Sequence, residues 1–131
     1  LMYNVITAEV GAYLKDFNLT IGKLNILLVV KHRGGEEGIT QVDISKYLIV
    51  TPSNMTKMID KLEKDKLVER WTQTGDRRVK LVKITEKGTN LLASLWQGYN
   101  QKLKDMVSGL DNETQKKLAE IMVAWLEKET R

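Results

Sequence analysis

Two closely spaced helix starts, followed at once by two β-rich runs around a cationic turn, constrain this chain more than any other feature. The first start is Ile39-Thr40-Gln41-Val42-Asp43-Ile44. The hydroxyl of a threonine at such a position can accept from first-turn amides that have no helical partner. Asp43, three residues on, is placed to complete a capping box, and Ile39 to staple against Ile44. This helix is expected to run to about Tyr47 or Leu48. The second start is Val50-Thr51-Pro52-Ser53-Asn54-Met55. Thr51 is the expected cap. Pro52 takes the first helical position, where it has no amide to lose, and Val50 and Met55 make a second staple. The helix should reach about Asp65.

The second helix has two faces. Met55, Met58, Ile59 and Leu62 recur at helical spacing, an apolar stripe for a core. Ser53, Asn54, Thr56, Lys57, Asp60, Lys61 and Lys64 lie off the stripe. Two helices joined by a short turn, the second polar and basic outside, fit a helix-turn-helix. A surface helix pair with a solvated charged face fits the same residues, and the neighbouring stretch from Val68 to Thr85 favours the first. Val68 to Thr74 and Val79 to Thr85 are rich in β-branched residues and read as strands, with Gly75-Asp76-Arg77-Arg78 as the turn between them. A recognition helix followed by a cationic hairpin is a winged helix-turn-helix. Its helix suits the major groove of double-stranded DNA, and an arginine at the wing tip suits the minor groove.

Thr51 to Gly88 resembles the core of the MarR family (multiple antibiotic resistance regulators). The residues that carry the resemblance are Ser53 and Thr56 on the recognition helix, then Leu67-Val68-Glu69-Arg70 entering the wing. Asp76-Arg77-Arg78 and Ile84-Thr85-Glu86-Lys87-Gly88 complete it. The spacing agrees throughout, and the order of elements covers nearly the whole chain. Lys66 departs from the pattern, since glycine is common between recognition helix and wing and suits a left-handed C-cap. Lysine there implies either strain or a different helix end. The resemblance implies a dimer that binds a pseudo-palindromic operator and is released by a small ligand. It places Arg78 at the minor groove with Asp76 orienting it through a charge-assisted hydrogen bond. It also implies a cleft between dimer helices and winged helix, where a small aromatic acid would bind.

The 131 residues, with one proline and no Gly/Ser-rich linker, suggest one domain. Its winged helix-turn-helix core spans about 20–88, and dimerisation helices about 1–16 and 86–130. The fold expected is mainly α with a small β-hairpin wing. Net charge is +4, but its distribution says more. Residues 46–88 hold 11 basic and 6 acidic side chains, a balance of +5, while the rest of the chain stands at −1. The excess on the proposed reading head favours a polyanionic partner. With no cysteine, disulfides and thiol redox sensing are excluded, which removes the peroxide-sensing branch of the resembled family. Apolar runs such as Ile26 to Val30 are far too short to span a bilayer, so no membrane association is expected and a cytoplasmic location is the simplest reading. The chain begins Leu1-Met2, and residue 1 is expected to fall inside a longer first helix.

Residues 1 to 16 read as a helix with apolar positions at Val5, Ile6, Val10 and Leu14. Asn18-Leu19-Thr20 breaks it, and Thr20 can cap the next. Ile21, Leu24, Leu27, Leu28 and Lys31 follow helical spacing. The run Ile26 to Val30 would also serve as a buried strand, and length favours a helix stopped by Gly34-Gly35. Gly38-Ile39-Thr40 adds a short strand beside the wing. After Gly88 a long helix carries Leu92, Leu95, Trp96, Tyr99, Leu103, Met106, Val107 and Leu110 on one stripe, ending at Ser108-Gly109. Asp111 caps a last helix with Leu118, Ile121, Met122, Trp125 and Leu126. The apolar surface of these helices exceeds what a winged helix needs. It serves either their own packing or a homodimer, and helix-turn-helix proteins commonly bind as two-fold dimers.

On the recognition helix the candidate DNA contacts are Ser53, Asn54, Thr56, Lys57 and Lys61, whose hydroxyl, amide and cationic groups can reach base edges or phosphates. On the wing they are Asp76, Arg77 and Arg78, with Arg78 preferred over Arg77. Gln41, Lys46 and Arg70 are weaker backbone candidates, Arg70 reading also as a structural residue. His32, the only histidine, reads as a helix-end residue rather than a metal ligand, because zinc would need three carboxylate partners in this chain. Trp71, Trp96 and Trp125 read as core. No cofactor is implied, and no nucleophile-base pair or phosphate-cradling glycine loop suggests an enzyme. The reading is thus a DNA-binding regulator of repressor type. The alternative is a winged helix used for protein–protein contact without DNA.

Overall fold

The chain starts with α1 (Met2–Lys15), which buries Val10 and Leu14 while Val5 and Ile6 stay exposed. The computed structural model describes residues 2–48 and 50–129, apart from the side chains of Met2, Leu126, Glu127 and Glu129. The expected helix positions at Leu1, Leu126 and residue 130 therefore lie outside the described residues. α1 stops in a left-handed turn at Asn18 (φ 54°), with Leu19 N–H donating to the Leu14 carbonyl at 3.1 Å. Asparagine tolerates that conformation better than most side chains.

The run Ile26 to Val30 is helical and lies in α2 (Ile21–Gly34), capped by the Thr20 hydroxyl, which accepts from Lys23 N–H at 3.2 Å. Gly35 (φ 51°) ends it. α2 packs against α1 and four later elements, which explains why it buries Ile26 and Val30 beyond the expected single stripe. Next come β1 (Ile39–Thr40), α3 (Gln41–Tyr47) and α4 (Pro52–Lys64). β2 (Val68–Thr72) and β3 (Lys80–Ile84) then form the wing. The antiparallel sheet has order β1-β3-β2, with Val68 opposite Ile84, Thr72 opposite Lys80 and Ile39 opposite Val82. Each wing strand is shorter than its β-branched run, so the connection spans 73–79 rather than four residues. It is held by its own turn bonds, including Val79 N–H to the Asp76 carbonyl at 3.2 Å. Gly38 (φ 82°) precedes β1 where a Cβ would come within 2.9 Å of the Trp71 ring.

α5 (Glu86–Val107) begins as the aliphatic-Thr-x-x-Gly pattern requires. The Thr85 hydroxyl accepts from Gly88 N–H at 3.0 Å, and a Cβ on Gly88 would collide with the Leu67 carbonyl oxygen. The threonine caps the helix; the glycine lets it start against the base of the wing. The Tyr13 hydroxyl donates to the Leu95 carbonyl at 2.8 Å, joining α1 to this helix. Leu92 and Leu95 are buried, while Leu103 is exposed.

Two compact units can be distinguished, Leu1–Gln97 and Gly98–Arg131. In the second, Asp111 caps α6 (Asn112–Glu129) by accepting from Thr114 N–H at 2.9 Å and from its hydroxyl at 2.7 Å. These bonds hold the Asp111 carboxyl below the ordinary carboxylate range. Gln115 donates to the Val107 and Leu110 carbonyls and ties down the turn. Leu118, Ile121, Met122 and Trp125 are exposed, Trp125 at 62%. Trp125 is thus no core residue in this chain. Trp71 is 37% exposed and Trp96 half-buried.

Candidate nucleic-acid interface

α4 divides as its periodicity requires. Met55, Ile59 and Leu62 are fully buried and Met58 half-buried, so the helix is fixed on α2 and α3 through one face. Ser53, Asn54, Thr56, Lys57 and Lys61 are all exposed on the other. Pro52 stands at the first position with Thr51 before it, but the Thr51 side chain makes no capping hydrogen bond. The expected cap is therefore only a backbone one, with Met55 N–H reaching the Thr51 carbonyl at 3.0 Å. Proline having no amide to offer, the open first-turn donors are those of the residues just after it, a positive helix end facing outward.

Thr40 does cap α3, accepting from Asp43 N–H at 3.0 Å. Asp43 reaches back as expected, but to the Thr40 hydroxyl at 2.6 Å rather than to its backbone amide. The same carboxylate takes Lys46 at 2.8 Å. Lys46, then Thr40, hold Asp43 below its usual range, and Asp43 raises Lys46. A lysine so paired brings less free charge to a phosphate. Gln41 turns the other way: its side-chain amide donates to the Thr56 hydroxyl, which itself donates to the Pro52 carbonyl at 3.0 Å. The two helices of the reading head are thereby pinned together at their exposed ends.

Arg70 is a clamp. Its guanidinium meets Asp60 at 2.7 Å and Glu63 at 2.9 Å, both on α4, and is 23% exposed. Of its two expected roles the structural one is built, because two carboxylates of α4 share its Nη2. The wing is thus tied to the recognition helix through its first strand. At the wing tip Asp76 accepts from the backbone N–H of Arg78 at 2.9 Å. That bond runs to the main chain, where the family pattern implies the guanidinium, so Asp76 shapes the turn instead of aiming the side chain. Arg77 and Arg78 are exposed.

The elements converge on a groove of about 410 Å³, lined by Gln41, Val42, Ser45, Pro52, Arg78 and Lys80 among others. It brings together three parts that the sequence places in one interface: the start of α3, the start of α4 and the wing arginine. Sequence patterns alone do not single out Lys80 and Ser45. A signal for Lys80 is present in the +5 charge stretch; its bond to the Thr72 hydroxyl at 2.8 Å depends on strand register. Of the two readings of Lys66, strain or a different helix end, the left-handed stop is the one built, with lysine in place (φ 60°). Lys66 N–H donates to the Glu63 carbonyl and Leu67 N–H to that of Leu62, both at 2.9 Å, the two bonds of a Schellman end. His32 is exposed in the last turn of α2. Among the described residues no group of three His, Cys, Asp or Glu could hold a metal ion, and no helix is long and apolar enough to cross a membrane.

Comparison with known proteins meets this geometry at the same place. The model of the MarR family matches residues 19–80, from the cap of α2 to the start of β3. The HTH-type transcriptional regulator MhqR of Bacillus subtilis (strain 168) is 27% identical over 111 residues, which cover 85% of this chain and 74% of that protein. Wild-type MarR of E. coli in its apo form has the same fold, with a TM-score of 0.83 at 24% identity over 95% of this chain and 92% of the other. So has S. aureus MepR in a MepR–DNA complex, with a TM-score of 0.77 at 23% identity over 97% and 95%. The matched stretch is the capped helix pair with the first strand and tip of its wing, and the Gly88 contact with Leu67 gives the motif just beyond it a steric reason; over residues 19–80 the chain is similar to the MarR family.

Proposed function

We propose that this chain is a transcriptional repressor that binds double-stranded DNA as a homodimer and releases it on taking up a small ligand. The observation that carries the reading is the groove in which Gln41, Pro52 and Arg78 meet, beside the exposed face of α4. The helix would enter the major groove through Ser53, Asn54, Thr56 and Lys57, with Lys61 on phosphate. Arg78 and Arg77 would lie along the flanking minor groove. Half-sites would then fall about one helical turn apart. Dimerisation is supported by exposed apolar side chains on the first and last helices, notably Tyr3 (75%), Ile121 (66%) and Trp125 (62%). Side chains of this size gather on a surface chiefly where a partner covers them. The ligand reading is supported by a cavity of about 520 Å³ walled by Phe17, Leu67 and Leu91, with Asn18, Asp65, Lys87, Asn90 and Ser94 as polar groups. The Asp65 carboxylate is paired with Lys23 at 3.3 Å, so the ammonium of Lys87 beside apolar walls suits a small aromatic acid.

The test is to mix the protein with random duplexes at two salt concentrations, then recover and sequence what stays bound. A palindromic site whose affinity falls steeply with salt is the expected outcome. Capture of no duplex at either salt overturns the reading and leaves protein–protein contact as the use of the winged helix.

A further inference from the structure

We infer that Thr56 reads thymine through its methyl group, with Gln41 as the positioning residue that holds it in that role; the inference rests on the DNA-binding reading above. A free threonine hydroxyl could donate to a base acceptor or accept from a base amino group. At Thr56 the proton is already used on the Pro52 carbonyl, the residue one helical turn back, at 3.0 Å. One lone pair is used by the Gln41 side-chain amide, which reaches across from α3. Both bonds pull the oxygen toward the protein. The residue is exposed on the flank of α4 that adjoins the buried stripe of Met55, Ile59 and Leu62 and meets Gln41 of α3. The hydroxyl therefore has no donor left for purine N7, guanine O6 or thymine O4; its one remaining lone pair is on the oxygen that Pro52 and Gln41 draw toward the protein, which leaves the methyl as the outward group. In the major groove the one base feature that an apolar group recognises is the thymine C5-methyl.

The pairing also assigns Gln41 a duty other than touching the DNA backbone. One N–H of its side-chain amide is given to Thr56, and through that bond it fixes the orientation of a neighbour. Asn54, exposed in the first turn of the same helix, remains the group able to make bidentate contact with adenine. The reading head thus combines one polar reader with one apolar reader on a single helix.

The test uses the full chain and a duplex selected by the wild-type protein from a random library, with uracil replacing thymine at one position at a time. That exchange removes the methyl and leaves base pairing intact. Burial of a methyl-sized group is worth about fourfold in affinity. One thymine per half-site is expected to show that loss. Thr56→Ser, which keeps the hydroxyl and drops the methyl, should bind the thymine duplex about fourfold more weakly and be indifferent to uracil at that position. Thr56→Val, which keeps the methyl, should still prefer thymine, and Gln41→Ala should lose part of the preference. Helix content by circular dichroism confirms that each variant is folded. Equal thymine preference in the wild type and Thr56→Ser, or no thymine whose methyl matters, overturns the inference while leaving DNA binding intact. Failure of the wild type to select any duplex overturns the DNA-binding reading and this inference with it.

Discussion

Replacing Lys66 by glycine should stabilise the protein. Lys66 follows the C-cap Asp65 of the recognition helix and holds φ at 60°. There its Cβ crowds the following carbonyl, which costs an L-residue about 1–2 kcal/mol. Glycine has no such penalty but loses more chain entropy on folding, about 0.5–1 kcal/mol. The difference gives Lys66→Gly a gain of about 0.5–1 kcal/mol, or roughly 2–5 °C in Tm. Nothing else is lost, because the side chain is exposed and the bonds at this residue are backbone ones. Its N–H donates to Glu63 at 2.9 Å and its carbonyl accepts from the Thr85 hydroxyl at 2.7 Å. Lys66→Ala is the control: it removes the same charge and keeps the Cβ, so it should stay within about 0.5 kcal/mol of wild type. Urea unfolding at fixed protein concentration, compared through midpoints at equal slope, measures both. If the glycine and alanine variants unfold at the same midpoint, the left-handed strain does not limit stability and the reasoning fails.

Gly88→Ala should destabilise by about 1–3 kcal/mol, because the new methyl meets the Leu67 carbonyl, whose oxygen already holds Thr85 N–H at 3.1 Å; a thermal melt no lower than wild type would contradict this. Arg78→Ala should leave the melt unchanged and weaken DNA binding, lowering the slope of log affinity against log salt by about one; an unchanged slope would remove Arg78 from the phosphate and minor-groove path. Arg70→Met should lower stability by about 1 kcal/mol, as two ion pairs to α4 are lost and Asp60 and Glu63 are left facing each other; no change in urea midpoint would show the clamp to be idle. Asp111 has a lowered carboxyl pKa, so its contribution is present above the ordinary aspartate value of about 3.9 and is lost as pH falls through the lower folded value. Asp111→Asn should flatten that acid limb of the stability curve, and an identical pH profile in the variant would refute the assignment.

What the sequence makes legible here is what adjacent residues decide among themselves. Thr20, Thr40, Asp111 and Thr85 are placed at helix starts by their neighbours, and each accepts a first-turn amide. The apolar stripe of α4 is set by a period of a few residues, so Met55, Ile59 and Leu62 can be assigned to the core before any partner is known. Side chains with a choice of partners are a different matter. Asp43 takes the hydroxyl of Thr40 where its amide was the expected donor; Asp76 takes the main-chain N–H of Arg78 where the guanidinium was. Arg70 finds Asp60 and Glu63 because the chain turns back at Lys66 and lays β2 along α4, a fact of packing and not of helix periodicity. Thr51 shows the converse, since its type and place predict a cap that its side chain does not make. The same logic governs the candidate interface. That Ser53, Asn54, Thr56 and Lys57 face outward follows from periodicity, but that the Thr56 hydroxyl is spent inside the protein follows from Gln41, fifteen residues away on another helix. Residue type fixes what a side chain can offer, and the fold decides how much of the offer is left for a partner.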